Sequence, residues 1–220
     1  MNKVIFTDLD GTLLDRTTYS YKGALEAIGL LHKKGVPIVF CSTKTRAEQE
    51  VYRKELNITD PFIVENGGAI FIPRDYFPFP IDYHRSASSY LVMELGIPHT
   101  RVREILKRVA AEVGCYIQGF ADMSPEEVAR HTGLSLELAG LAKQREYDET
   151  FKIEDAPEKV SLALNKIAEA GLTYTHGGIF YDAICGSDKG KATEILTQLF
   201  RKKLGQIKTC LLYTSPSPRD

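Results

Sequence analysis

The chain has 220 residues, 43% of them hydrophobic, and a formal net charge of -1 at pH 7. This composition is typical of a folded globular protein, and the balanced charge gives no general attraction to nucleic acid or to an anionic membrane. No apolar run approaches the ~20 residues of a membrane-spanning helix, and no basic-then-apolar signal pattern opens the chain, so we expect a cytoplasmic protein.

The first part of the chain alternates short apolar runs with amphipathic segments. Strands are predicted at residues 3–8, 36–41, 62–64 and 69–72, and helices at residues 21–34 and 46–56. The apolar residues of the strands are continuous rather than alternating, which indicates strands buried on both faces. This order predicts an α/β fold with a Rossmann-like, mostly parallel sheet.

The pattern changes after a stretch rich in proline and aromatic residues between Pro73 and Asp82, which suits a crossing between domains. Strands are then predicted at 90–95, 151–154, 172–176 and 179–181, and helices at 100–113, 157–170 and from Ser124 onward. A helix at 188–204 and a strand at 207–212 return to the first pattern. We therefore predict a core at 1–80 and 184–212, an inserted α+β domain at 81–183, and a disordered tail at 213–220.

Two carboxylates follow the first strand, in the stretch Asp8-Leu9-Asp10-Gly11-Thr12-Leu13-Leu14. Residues i and i+2 of a strand point the same way, and open parallel sheets bind ligands at the carboxyl ends of their strands. Carboxylates this close repel each other unless a cation lies between them or one keeps a proton. The pair can therefore hold a cation such as Mg²⁺, attack a phosphorus atom with one carboxylate and carry a proton on the other.

A calcium-binding loop or a surface turn could also place two acids so close together. A calcium loop needs glycine at its sixth position and an acid at its twelfth, whereas here the glycine is fourth and the twelfth residue is Tyr19, which excludes it. An Asp-Gly surface turn remains open for the acids taken alone.

Ser42 and Thr43 end the second predicted strand, and Lys189 lies at the start of the last long helix. Hydroxyl and N–H groups at a helix start can bind a phosphate, and a lysine can neutralise a phosphoryl oxygen. An ordinary helix cap accounts for either hydroxyl equally well. A lysine at a helix N-terminus opposes the helix dipole, so its position needs a reason.

The order of these motifs resembles the haloacid dehalogenase superfamily of phosphatases, over residues 3–209. The resemblance implies that Asp8 is the nucleophile that becomes an aspartyl phosphate and that Asp10 is the general acid and base. It also implies a Mg²⁺ cofactor held by Asp8 and Asp10, including the Asp10 backbone carbonyl. Ser42, Thr43 and Lys189 would bind the phosphoryl group, and the inserted domain would be a substrate-selective cap.

Four further stretches are similar to the mannosyl-3-phosphoglycerate phosphatase family, which releases mannosylglycerate and phosphate. They begin at Val64, Gln144, His176 and Asp188. The resemblance implies a small sugar-phosphate substrate and the substrate-binding residues Asn66, Gly67, Arg145, Glu146, His176 and Gly177. A solvated helix end near residue 145 and a tight hairpin near residue 177 would account for two of these stretches without a substrate.

The open alternatives concern substrate and class. The substrate could instead be sucrose phosphate, glucosyl-3-phosphoglycerate or a hexose phosphate. The chain could also be a phosphomannomutase-like enzyme, because related caps occur there, or a sugar-phosphate-binding fragment without catalysis. The family's fourth motif, Gly-Asp-x-x-x-Asp, is not found after the strand at 207–212. We therefore expect a truncated chain with a foreign end from about Cys210, weak magnesium binding and weak turnover. The sequence leaves the oligomeric state open.

Overall fold

The computed structural model describes residues 2–186 and 188–213. Its strands are β1 (Asn2–Thr7), β2 (Ile38–Phe40), β3 (Phe62–Val64), β4 (Ala69–Pro73), β5 (Arg85–Ala87), β6 (Tyr90–Glu94), β7 (Ile117–Gly119), β8 (Glu149–Ile153), β9 (Thr173–Gly177), β10 (Phe180–Ile184) and β11 (Ile207–Leu212). Its α-helices are α1 (Leu25–Lys33), α2 (Arg46–Glu55), α3 (His99–Val113), α4 (Pro125–Thr132), α5 (Leu136–Ala142), α6 (Pro157–Glu169) and α7 (Lys189–Leu204). Single 3-10 turns cover Lys22–Ala24, Glu65–Gly67 and Phe120–Asp122. Across these two ranges, no helix combines the length and apolar character that crossing a bilayer requires.

The core is built on a parallel sheet with the order β11-β1-β2, and an isolated parallel bridge between Cys41 and Ile63 extends it toward β3. Val4 to Thr7 of β1 are buried, as the continuous apolar run predicted. Val4 and Phe6 pack with Leu196 and Phe200 of α7 on one face of the sheet, and on the other face Ile38 of β2 packs with Ile28 of α1. The predicted α/β core with an inserted α+β cap is confirmed.

A second, antiparallel sheet has the order β3-β4-β6-β5. β4 pairs with β6 along its whole length, from Ala69 opposite Glu94 to Pro73 opposite Tyr90. Residues 85–94, which we predicted to belong to the cap, thus continue the sheet that begins in the core. The stretch predicted as a crossing packs on the core as well, because the Phe77 ring meets α7 in an edge contact.

The cap has its own antiparallel sheet with the order β7-β8-β10-β9. Phe151 of β8 lies in one cluster with residues of α3 and α6, and a separate cluster joins α4, α5 and the turn that contains Phe120. The predicted helix start at Ser124 is confirmed, because the Ser124 hydroxyl accepts from the N–H of Glu127 while the Glu127 carboxylate accepts from the N–H of Ser124. The sequence did not predict β5, β7 and α5, which have three to seven residues.

Candidate active site

Asp8 and Asp10 follow β1 at the carboxyl end of the parallel sheet. The N–H of Asp8 donates to the carbonyl of Leu212 (3.0 Å), and the N–H of Leu9 donates to Oδ1 of Asp8 (2.7 Å). Gly11 turns the chain away with a φ of 70°. The Asp8 side chain is 13% exposed.

Lys189 begins α7, and its Nζ donates to Oδ2 of Asp8 at 2.8 Å. The preceding Asp188 caps the helix, since its carboxylate accepts from the N–H of Gly190 (2.6 Å) and of Lys191 (3.3 Å). The Asp8 carboxylate therefore offsets the repulsion between Lys189 and the helix dipole, while Asp188 satisfies N–H groups at the helix start.

Ser42 and Thr43 lie beside Asp8, because the β1–β2 register places Thr7 opposite Phe40 and the N–H of Cys41 donates to the carbonyl of Thr7. Ser42 is fully buried, and its hydroxyl oxygen accepts from the N–H of Lys44 at 3.3 Å. The predicted phosphate-binding residues therefore lie at one end of the sheet.

Asp10 has a partner that the sequence did not predict, the buried Lys44. Its Nζ lies 3.1 Å from Oδ1 of Asp10 and 3.3 Å from Oε1 of Glu48. Protein atoms surround much of the Asp10 carboxyl, although 41% of the side chain is exposed. This burial raises the pKa of Asp10, and the nearby ammonium of Lys44 lowers it by a smaller amount. Burial alone would lower the pKa of Lys44, but Glu48 and Asp10 raise it above its usual value, so the ammonium stays charged.

Asn66 and Gly67 lie in the Glu65–Gly67 turn, which contacts the start of α7. A Cβ on Gly67 would lie 2.5 Å from the carbonyl carbon and oxygen of Asp188 and 2.8 Å from the nitrogen of Lys189. The N–H of Asn66 donates to the carbonyl of Ser42 at 3.2 Å. The turn thus touches both elements that carry the predicted phosphate-binding side chains.

Arg145 and Glu146 belong to the cap but contact the core. Arg145 is buried, donates to the carbonyl of Thr43 (3.2 Å) and forms an ion pair with Asp148. Burial alone would lower the pKa of Arg145, but Asp148 and other nearby carboxylates raise it. Glu146 pairs with Arg46 at 2.9 Å and with Arg85 at 2.6 Å.

A polar row on one face of the cap sheet continues from this ion pair. The hydroxyls of Thr150 (2.5 Å) and Thr175 (3.4 Å) donate to the Asp182 carboxylate, and Asp148 lies just before β8, two residues before Thr150. The negative charge of Asp182 is close enough to raise the pKa of both Arg145 and Asp148. This face therefore offers acceptors to a polar ligand.

His176 and Gly177 are not brought to this cluster. His176 is paired with Tyr181 and its ring stacks on the tyrosine ring at 4.7 Å, on the sheet face that also carries Phe151 and packs against α3 and α6. Gly177 pairs with Phe180 near the exposed tip of the hairpin, and a Cβ there would meet no atom within 4 Å.

Asp8 and Asp10 are the donors available to a hard divalent cation. Mg²⁺ binds proteins through one or two carboxylates plus waters and substrate phosphate oxygens, so this donor set fits the ion. Residues 2–186 and 188–213 contain no cluster of three or more histidine, cysteine or acidic side chains arranged for a metal. Of the tail predicted to be disordered at 213–220, residues 214–220 lie outside the described residues, while the hydroxyl of Tyr213 donates to Sγ of Cys41 at 3.7 Å. The predictions of a truncated chain and a foreign end stay predictions.

A cavity of about 780 Å³ lies beside β1 and α1. Its lining includes Gly11, Thr12 and Leu212 but none of Asp8, Asp10, Ser42 or Lys189. We do not assign it to the active site.

The sequence analysis missed the contributions of Lys44, Glu48, Glu65, Asp148 and Asp182. Glu65 and Asp148 stand inside stretches that the family resemblance singled out, so the resemblance contained a signal for them. No signal in the sequence indicated the pairing of Lys44 with Asp10, because a loop lysine after a strand is ordinarily solvated.

Comparisons with known proteins agree with this geometry. Residues 5–95 match the family model described as haloacid dehalogenase-like hydrolase. A Methanococcoides burtonii protein named glucosyl-3-phosphoglycerate/mannosyl-3-phosphoglycerate phosphatase is 44% identical over 96% of this chain and 78% of that protein. A Pyrococcus furiosus protein named mannosyl-3-phosphoglycerate phosphatase is 42% identical over 92% of this chain and 80% of that protein. The fold matches a haloacid dehalogenase-like hydrolase from Bacteroides thetaiotaomicron with a TM-score of 0.65 at 15% identity, over 95% of this chain and 81% of the other. These similarities confirm the family predicted from the motifs.

Proposed function

The chain belongs to the haloacid dehalogenase-like hydrolases and is a phosphoric monoester hydrolase, and we propose that it releases phosphate from mannosyl-3-phosphoglycerate through an aspartyl phosphate on Asp8. The observation that carries this proposal is the 2.8 Å contact between Lys189 and Asp8, beside Ser42 at the end of the parallel sheet. It joins an attacking carboxylate, a hydroxyl and an ammonium in one phosphoryl site.

In the first step, a carboxylate oxygen of Asp8 forms a bond to phosphorus while the bond to the ester oxygen breaks. Asp10 donates its proton to the departing oxygen, and its raised pKa favours the protonated form that this step needs. In the second step, Asp10 takes a proton from the water that attacks the aspartyl phosphate, which releases phosphate and restores Asp8. Lys189 neutralises the phosphoryl oxygens, while the hydroxyls of Ser42 and Thr43 orient the phosphoryl group.

We propose Mg²⁺ as the cofactor, which would be held by the carboxylate of Asp8 and the backbone carbonyl of Asp10, so that the Asp10 side chain stays free to carry the proton. The ion would neutralise charge on the transferring phosphoryl group. Asp8 would still need Lys189, because a phosphate monoester brings two negative charges to a site that already has two carboxylates.

The substrate is proposed from the names of the relatives and from the cap. The buried Nε of Arg145 has no hydrogen-bond partner among the described residues, which leaves one N–H for the glycerate carboxylate. The acceptor Asp182 suits sugar hydroxyls. Glu146 would have to leave Arg46 or Arg85 to accept from them, and the buried Asp148 would have to leave Arg145 or Asn66. Glucosyl-3-phosphoglycerate is a second candidate, because the Methanococcoides burtonii relative is named for both sugars.

The test measures phosphate release from mannosyl-3-phosphoglycerate, glucosyl-3-phosphoglycerate, sucrose phosphate and a hexose phosphate. The enzyme is in excess over substrate, since two carboxylates alone predict weak turnover. Asp8→Asn should abolish release with the circular dichroism spectrum unchanged, while Asp82→Asn, at an exposed site, should retain it. Equal rates on all four esters contradict the substrate assignment, and activity in the Asp8 variant contradicts the nucleophile. Binding without any release would favour a sugar-phosphate-binding fragment.

A further inference from the structure

The Glu65–Gly67 turn has an unusual backbone for a buried segment. Its three residues all have positive φ angles, of 47°, 58° and 90°, and the first two are not glycines. Side chains rarely adopt this region, and such conformations persist where surrounding contacts hold them, often at functional sites. The contacts of this turn therefore indicate what it does.

The backbone of the turn is bound to the phosphoryl site. The N–H of Glu65 donates to the carbonyl of Lys44, and the N–H of Asn66 donates to the carbonyl of Ser42, each at 3.2 Å. Gly67 lies against the backbone of Asp188 and Lys189. The turn is thus fixed to the loop after β2 and to the start of α7.

The side chains of the same turn bind the cap. The Glu65 carboxylate accepts from the backbone N–H groups of Glu146 (3.0 Å), Tyr147 (2.7 Å) and Asp148 (3.1 Å). Nδ2 of Asn66 donates to Oδ2 of Asp148 at 3.2 Å. Residues 145–148, the recognition segment, are therefore fastened to a turn whose backbone belongs to the phosphoryl site.

We propose that Glu65 is a positioning residue that couples the recognition segment to the phosphoryl site. Glu65 has no contact with Asp8 or Lys189 among the hydrogen bonds and ion pairs of the described residues, so it is not a catalytic residue. Contacts between the protein and a remote part of the leaving group accelerate the reaction only if the groups that make them are held in a fixed position relative to the reacting atoms. Cleavage of an ester with a sugar-glycerate leaving group should therefore depend on Glu65, whereas cleavage of a small ester should not. This inference rests on the proposed function.

The experiment compares kcat/KM on mannosyl-3-phosphoglycerate and on p-nitrophenyl phosphate for wild type, Glu65→Gln and the control Glu158→Gln, at an exposed site on α6. For the Glu65 variant we expect a loss of about tenfold or more on the phosphoglycerate ester, which matches the loss of one hydrogen bond to a charged acceptor, and a change under about twofold on the small ester. The control should change neither. Equal losses on both esters, or no loss on either, overturn the proposal.

Amide hydrogen exchange gives a readout that does not need turnover. The backbone amides of residues 146–148 should exchange faster in Glu65→Gln than in wild type, while amides of β1 keep their rates. If Glu65→Gln does not fold, Glu65→Asp decides instead, because it keeps the negative charge but withdraws the shorter carboxylate from the N–H groups of residues 146–148. Unchanged exchange at residues 146–148 refutes the coupling. Wild type that leaves mannosyl-3-phosphoglycerate intact refutes the proposed substrate, and amide exchange alone then decides the coupling.

Discussion

Replacing Gly67 with alanine tests whether the turn must contact the start of α7. The new Cβ would lie 2.5 Å from the carbonyl carbon and oxygen of Asp188 and 2.8 Å from the nitrogen of Lys189. Non-bonded heavy atoms pack at about 3.5–4.0 Å, so the turn and the helix must separate by roughly 1 Å. All three obstructing atoms are backbone atoms, which cannot rotate away.

Gly171→Ala is the matched control for this substitution. Gly171 has a φ of 87°, against 90° for Gly67, and a Cβ there would meet no atom within 4 Å. Both variants bear the strain of alanine at positive φ, about 1–2 kcal/mol. Only Gly67→Ala adds overpacking, about 1–3 kcal/mol more. The difference between the two variants isolates the close approach.

The assays are urea unfolding and hydrolysis of p-nitrophenyl phosphate. Gly67→Ala should have a free energy of unfolding about 1–3 kcal/mol below that of Gly171→Ala. Its rate should fall by about 100-fold, because a shift of roughly 1 Å moves Lys189 away from Asp8. Equal unfolding free energies in the two variants, or a rate in Gly67→Ala like that of wild type, would refute the reasoning.

The buried charges, the metal site and the cap give three more predictions. Lys44→Met should lower the free energy of unfolding by about 3 kcal/mol, because Glu48 is 3% exposed and loses its counterion. The double variant Lys44→Met with Glu48→Gln should recover at least half of that loss, since the unpaired charge is removed. No recovery in urea melts would contradict this prediction. Chelation with EDTA should stop phosphate release and added Mg²⁺ should restore it, whereas a rate unaffected by EDTA would exclude the proposed cofactor. His176→Ala should leave kcat/KM on mannosyl-3-phosphoglycerate within about twofold, because His176 stacks on Tyr181 on the other sheet face, and a drop of about tenfold would place it in the site.

The sequence predicted β8, β9 and β10 of the cap sheet but not which face of that sheet points to the active site. The sequence indicates that neighbouring residues of β9 and β10 point to opposite faces, which holds for His176 and Thr175. Which face looks toward the active site depends on where α3 and α6 pack, and they cover the His176 face. The same limit applies to residues 85–94, whose pairing with β4 is a contact between segments that no local pattern records.

Local sequence was sufficient for the elements that short-range interactions control. The continuous apolar run before Asp8 specified a buried central strand, and the carboxylate of Asp188 capped the helix that carries Lys189. These features depend on neighbours within a few residues. The pairing of Lys44 with Asp10, and the binding of Glu65 to N–H groups 81 residues or more away, became visible only in the folded molecule. Such contacts join separate segments, and a hydrogen bond or ion pair forms only after folding has brought its two groups within about 3 Å.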